Sequence, residues 1–138
     1  MSLKLSKTNT VAYDYLSEDG AMTNPAVASV TIDKTGGTKT SSSVTLYLVA
    51  VGSASIGSYT TITVTPSTAT TGITWEVSLD GSTWTSSITP GDMDCESEDV
   101  VTTCYARIVA NNASDSPLTT GNFAAEFDIT ATENPPAV

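Results

Sequence analysis

Apolar residues recur at every second position along most of this chain, and no eleven-residue stretch carries an apolar stripe at helical spacing. The clearest alternation lies at 123–131, where Phe123, Ala125, Phe127, Ile129 and Ala131 share one face and Glu126, Asp128 and Thr130 the other. Residues 59–65 set Ile62 and Val64 against Thr61, Thr63 and Thr65, and residues 73–80 set Ile73, Trp75, Val77 and Leu79 against Thr74, Glu76, Ser78 and Asp80. The nearly continuous apolar run at 44–51 predicts a strand covered on both faces. Residues 100–110 place Val100, Cys104, Ala106 and Ile108 opposite Val101, Tyr105, Arg107 and Val109. Further strands are expected at 26–33 and 9–15. The pair Asp80-Gly81 predicts a tight hairpin, because a type I′ turn needs positive φ at both central residues. Short strands separated by turn signals about every ten residues predict an all-β fold, an antiparallel β-sandwich.

The ends differ from the middle. Lys34 to Ser43 contains only lysine, glycine, serine and threonine, the composition of a flexible polar loop. The expected organisation is therefore an N-terminal arm or first strands at 1–33, the polar loop at 34–43, the sandwich at 44–131 and a tail at 132–138. The tail cannot extend a strand past Pro135 and Pro136.

Charge and composition narrow the function. Fifteen acidic residues against five basic ones give a net charge of −10, which opposes binding to nucleic acid or an anionic membrane. With no histidine, imidazole catalysis and imidazole metal ligation are impossible. Lys4, Lys7, Lys34 and Lys39 lie in polar segments and offer no base for a serine nucleophile, so the chain does not read as an enzyme. Threonine and serine together number 43 of 138 residues, so the surface is expected to be hydroxyl-rich. The first residues lack the apolar core of a secretory signal, so synthesis in a cytoplasm without secretion is expected.

Four candidate features remain. Asp92, Asp94, Glu96 and Glu98, followed by Asp99, crowd carboxylates onto one segment and form a candidate Ca²⁺ site, although Glu98 occupies the position where an EF-hand loop needs glycine. The competing reading is a solvated acidic loop. Cys95 and Cys104 are close enough in sequence for a disulfide worth about 2–3 kcal/mol, with two small buried thiols as the alternative. Trp84, Tyr13, Tyr15, Tyr47 and Tyr59 are candidates for stacking on a sugar. Arg107, the only arginine, is expected to pair with a carboxylate across the sheet.

Ser78-Leu79-Asp80-Gly81-Ser82-Thr83-Trp84 resembles the Asp-box hairpin, with the glycine one position early, and such boxes are structural turns. Trp75 on the preceding strand, with Cys104-Tyr105 downstream, is similar to the core of immunoglobulin-like domains, although Cys95 follows the tryptophan strand rather than preceding it. The acidic, threonine-rich, leaderless sandwich with extended ends resembles the immunoglobulin-like accessory proteins of tailed-phage virions. This resemblance implies a structural protein, either a capsid decoration (cement) protein or a neck- or tail-associated one. Its partners would be capsid or tail subunits and copies of itself, with no cofactor, in the virion. The N-terminal arm would supply assembly contacts through Leu3, Leu5, Tyr13, Tyr15 and Leu16. The alternatives are a surface adhesion or carbohydrate-binding module, or a subunit of an extracellular filament.

Overall fold

A computed structural model describes residues 3–16, 24–30, 38–67, 72–110 and 121–136. Among the described residues there are ten strands: β1 (Leu3–Ser6), β2 (Ala26–Val30), β3 (Lys39–Thr40), β4 (Val44–Ala50), β5 (Ser58–Pro66), β6 (Ile73–Ser78), β7 (Met93–Asp94), β8 (Val100–Ala110), β9 (Gly121–Ala125) and β10 (Phe127–Asn134). All pairings are antiparallel, and the described residues contain no helix. The fold is all-β.

The first sheet is built on β8, the longest strand. One edge of β8 pairs with β4 and, past a short interruption, with β3, while β6 pairs with its C-terminal half. β1 lies on the outer edge of β4, with Leu3 opposite Ala50 and Ser6 opposite Tyr47. In the second sheet, β5 is flanked by β10 and β7; β2 and β9 form a separate pair. The inward residues of all three sheets meet in one apolar core, including Leu46 and Leu48 of β4, Ile108 of β8, and Tyr59, Ile62 and Val64 of β5. Trp75 of β6 meets the ring of Phe127 of β10 edge-on, with centroids 6.2 Å apart, and so ties the two main sheets together.

The structure departs from strict alternation in informative places. In β5, Thr61 and Ile62 together oppose Ala131, since Thr60 pairs with Thr132 and Thr63 with Thr130. This bulge leaves Thr61 with φ of 53°, a left-handed conformation that costs a β-branched residue about 1 kcal/mol or more. It also shifts the phase of the strand, so Tyr59 and Ile62 both point inward although they lie three residues apart. The strand expected at 123–131 breaks at Glu126. Before it, β9 pairs with β2; after it, β10 pairs with β5, and the Glu126 carbonyl already accepts from Ser67 N at 2.9 Å. Glu126 is buried at this change of partner rather than turned to solvent.

Of the two forms expected for residues 1–33, an arm or first strands, the described residues include two strands, β1 and β2. Residues 3–6 form a strand of the chain's own first sheet, and 9–15 do not form one beyond a single bridge between Tyr15 and Ser6. Leu16 N donates to Leu5 O and Lys7 N to Asp14 O, so 14–16 runs back beside β1. Leu3, Leu5 and Leu16 are about as buried as the rest of the core, at 3%, 3% and 6% exposure, and so do not stand out from this chain as an arm. The polar loop expected at 34–43 contains β3, and the tail expected from 132 remains strand to Asn134. Residues 31–37 of these expectations, 17–23 of the arm and 137–138 of the tail lie outside the described residues.

Candidate functional site

The acidic segment begins along the edge of β5 and continues as an exposed loop. Ile88 bridges Val64, and Met93 and Asp94 pair with Tyr59 and Ser58, so the segment runs along β5 in one continuing register. Ile88, Met93 and Cys95 point into the core, while Asp92, Asp94 and Glu98 point to solvent. Charges on the outward positions of an edge strand deter pairing with another chain. Among the described residues, no three carboxylate or thiol groups converge as a metal would require, so Asp92, Asp94, Glu96 and Glu98 are not brought together. Their side-chain roles are local, as where Asp94 Oδ1 accepts from Glu96 N at 3.3 Å. Cys95 and Cys104 are free, buried thiols without a bridge between them. Burial pushes the Cys104 thiol up to about 12, and burial with the nearby Asp94 carboxylate raises Cys95, so neither is poised as a nucleophile.

The outer face of the first sheet carries the most distinctive grouping. Strand pleating turns Tyr47 away from the core between inward Leu46 and Leu48, and Tyr105 and Arg107 likewise between Cys104, Ala106 and Ile108. Tyr15, Ser6, Tyr47 and Thr103 lie in one row across four adjacent segments. Ser6 is fully buried between the two tyrosines, and its Oγ donates to Thr8 O at 2.7 Å. Tyr13 packs on Tyr15 with ring centroids 5.7 Å apart, and the Lys4 ammonium lies 5.3 Å from the Tyr15 centroid. At the far end of the face, Arg107 donates to Glu76 Oε1 at 2.9 Å and lies 4.4 Å from the Trp84 centroid. Five of the nine aromatic residues thus share one face: Tyr13, Tyr15, Tyr47, Tyr105 and Trp84. Tyr59 does not belong to it. That ring is fully buried in the core, and its hydroxyl donates to Glu133 at 3.1 Å.

Asp99 anchors one end of this face. Its Oδ1 accepts from Gly52 N at 2.7 Å and its Oδ2 from the Tyr13 hydroxyl at 2.8 Å. These bonds, the Gly52 amide first, lower the Asp99 pKa, while the bond to Asp99 raises that of Tyr13. Val49 is fully buried although it points outward beside Lys4 and Val101, so the segment containing Tyr13 and Tyr15 roofs this part of the sheet.

The hairpin beside Trp84 closes differently from the expected type I′ turn. Only Gly81 has positive φ, at 76°, and Val77 bridges Thr85, leaving a seven-residue loop. Side chains close it. Asp80 Oδ1 accepts from Ser82 N and Thr83 N, both at 2.8 Å, and from the Ser78 hydroxyl at 2.9 Å. These donors, Thr83 first, hold the Asp80 carboxyl at about 2. An unfolded aspartate titrates near 3.9, so the loop's carboxylate contribution is complete above about pH 4 and is lost as pH falls through about 2. We expect the amide resonances of Ser82 and Thr83 to titrate with a midpoint near pH 2 in an NMR pH series. A midpoint near 4 would show that the carboxylate does not accept these bonds. Beneath the loop, Leu79, Thr83, Thr85, Ser87, Ile88 and Thr89 line a shallow open groove of about 380 Å³.

The sequence pointed to four of the five aromatic residues but not to their grouping. Tyr105 had a signal, since alternation along 100–110 already put it on the face of Arg107. The chain matches no protein-family model, and no curated protein or solved structure matches it significantly.

Proposed function

We propose that the chain is a non-enzymatic structural protein of a tailed-phage virion, a capsid decoration or neck- or tail-associated protein with an immunoglobulin-like sandwich. The observation supporting this reading is the grouped face of Tyr13, Tyr15, Tyr47, Tyr105 and Trp84 on an otherwise acidic, hydroxyl-rich chain. Tyrosine, tryptophan and arginine are the residues that dominate binding energy between proteins, each central one contributing about 2 kcal/mol or more. Lys4 and Arg107 sit on the same face and offset its local charge, which favours docking on a protein lattice. The remaining surface, carrying most of the net charge of −10, faces solvent and keeps the particle dispersed.

A glycan-binding surface module is the second reading, drawn from the same rings. It is opposed by the cations over Tyr15 and Trp84, since a ring face covered by a side chain is not open to a sugar. The test is mass spectrometry on tailed-phage particles purified from cells that encode the chain, followed by sedimentation of the recombinant chain with those particles. The chain is expected in washed particles, and Tyr47→Ala/Tyr105→Ala is expected to lower co-sedimentation at least about tenfold, the loss of one hot-spot contact. Abundant chain in the lysate with none in the particles overturns the virion reading. Binding to an immobilised glycan instead supports the second.

A further inference from the structure

We infer that β1 and the returning 14–16 stretch, both tied to Asn24, are exchangeable, so that the edge of β4 which receives Leu3–Ser6 in one chain accepts the same residues from a second copy. This goes beyond the proposed virion role and does not depend on it. The argument rests on how the bonds divide. Within the segment, Lys7 N donates to Asp14 O and Leu16 N to Leu5 O. Lys7 Nζ donates to Asn24 Oδ1 at 2.8 Å, and Asn24 Nδ2 donates to Asp14 Oδ1 at 3.0 Å and to Tyr15 O at 2.6 Å. These bonds hold residues 3–16 to Asn24 as a unit that can move together.

Contacts with the rest of the chain are of another kind. β1 pairs with β4, Leu3, Leu5 and Leu16 enter the core, and the Tyr13 hydroxyl reaches Asp99. All of these can form equally well with the same surfaces of a second molecule. The junction is narrow, because Pro25 alone separates Asn24 from Ala26, the first residue of β2 and 1% exposed. Proline has no backbone N–H, so reorienting the chain there breaks no ladder bond at that position. The acceptor is also specific. Without β1, β4 presents the unpaired edge of a strand rich in leucine and valine, which must be covered. The segment fitting that edge is the one seated on it in this structure, so a second copy carries the matching occupant at no cost in new chemistry.

The experiment uses the full chain with Lys4→Cys/Val49→Cys, residues that face each other across β1 and β4. The protein is refolded at high and at low concentration, sized by light scattering, oxidised and run on a non-reducing gel. Exchange predicts that refolding at high concentration yields a species of doubled mass or more, whose new disulfide joins different chains, while the monomer closes the same disulfide internally. Oligomers carrying only internal disulfides overturn the inference, as does a chain that stays monomeric after refolding at high concentration. Ser6→Cys/Tyr47→Cys reports the same register two pairs along and replaces the first variant if that one fails to fold. The native thiols are buried and need high pH to ionise, so they do not compete.

Discussion

Trp75→Ala is expected to destabilise the protein by about 4 kcal/mol, the range for removing a large aromatic side chain from a packed core. Trp75 is 6% exposed, belongs to the common core and meets Phe127 across the two main sheets. Its removal loses apolar burial, leaves a cavity and breaks an edge-to-face pair between sheets. A loss of this size is a large share of the roughly 5–15 kcal/mol that stabilises a domain, so the urea midpoint should fall sharply. Trp84→Ala is the control. That ring is half-exposed on the outer face under Arg107, and its loss should cost no more than about 1 kcal/mol. Equal effects from the two tryptophans would contradict this placement of the core.

Gly57→Ala is expected to cost about 3 kcal/mol, although it adds a single methyl group. A Cβ at Gly57 would lie 2.4 Å from Pro135 O and 2.7 Å from Pro136 Cα, so backbone rather than a flexible side chain would have to yield. The same backbone donates from Gly57 N to Asn134 O at 2.8 Å and accepts from Cys95 N at 3.1 Å. Relieving the clash therefore disturbs the end of β10 and the edge segment that seats Met93 and Cys95 in the core. Gly91→Ala and Gly121→Ala meet nothing within 4 Å and should change stability by less than about 0.5 kcal/mol. Thermal unfolding of the three variants side by side checks the contrast.

Both predictions concern places where local pattern was a partial guide. Alternation identified the inward face of β8 and that of β6 as far as Val77 correctly, because each pairs along its length without a bulge, but it failed at the hairpin, where Ser78 is fully buried and Leu79 is 42% exposed. It misplaced Tyr59, since the bulge at Thr61 reverses the phase of β5 and only the register with β10 reveals it. The acidic-loop reading of 91–99 holds for Glu96 to Asp99, but it missed the short strand at Met93 and Asp94, because Pro90, Gly91 and the flanking carboxylates hide a pairing that β5 carries. The candidate site was legible residue by residue as exposed-looking aromatics. Their convergence was not, because Tyr15 and Tyr47 share a row only through the pairing of β1 with both β4 and the returning 14–16 segment.

By itself, the sequence determined an all-β chain, most of its inward residues, an acidic hydroxyl-rich surface and the exclusion of histidine chemistry, since all of these follow from composition and two-residue periodicity. It also indicated that Arg107 would find a carboxylate, because a lone arginine among fifteen acids has many partners within reach. Only the tertiary structure decided that Leu3, Leu5 and Leu16 enter the chain's own core, that Met93 and Asp94 pair with the edge of β5 and that five aromatic rings share one face. Each of those outcomes depends on which strand lies beside which. That choice is made by long-range pairing and burial, whose energies exceed any preference a local segment carries.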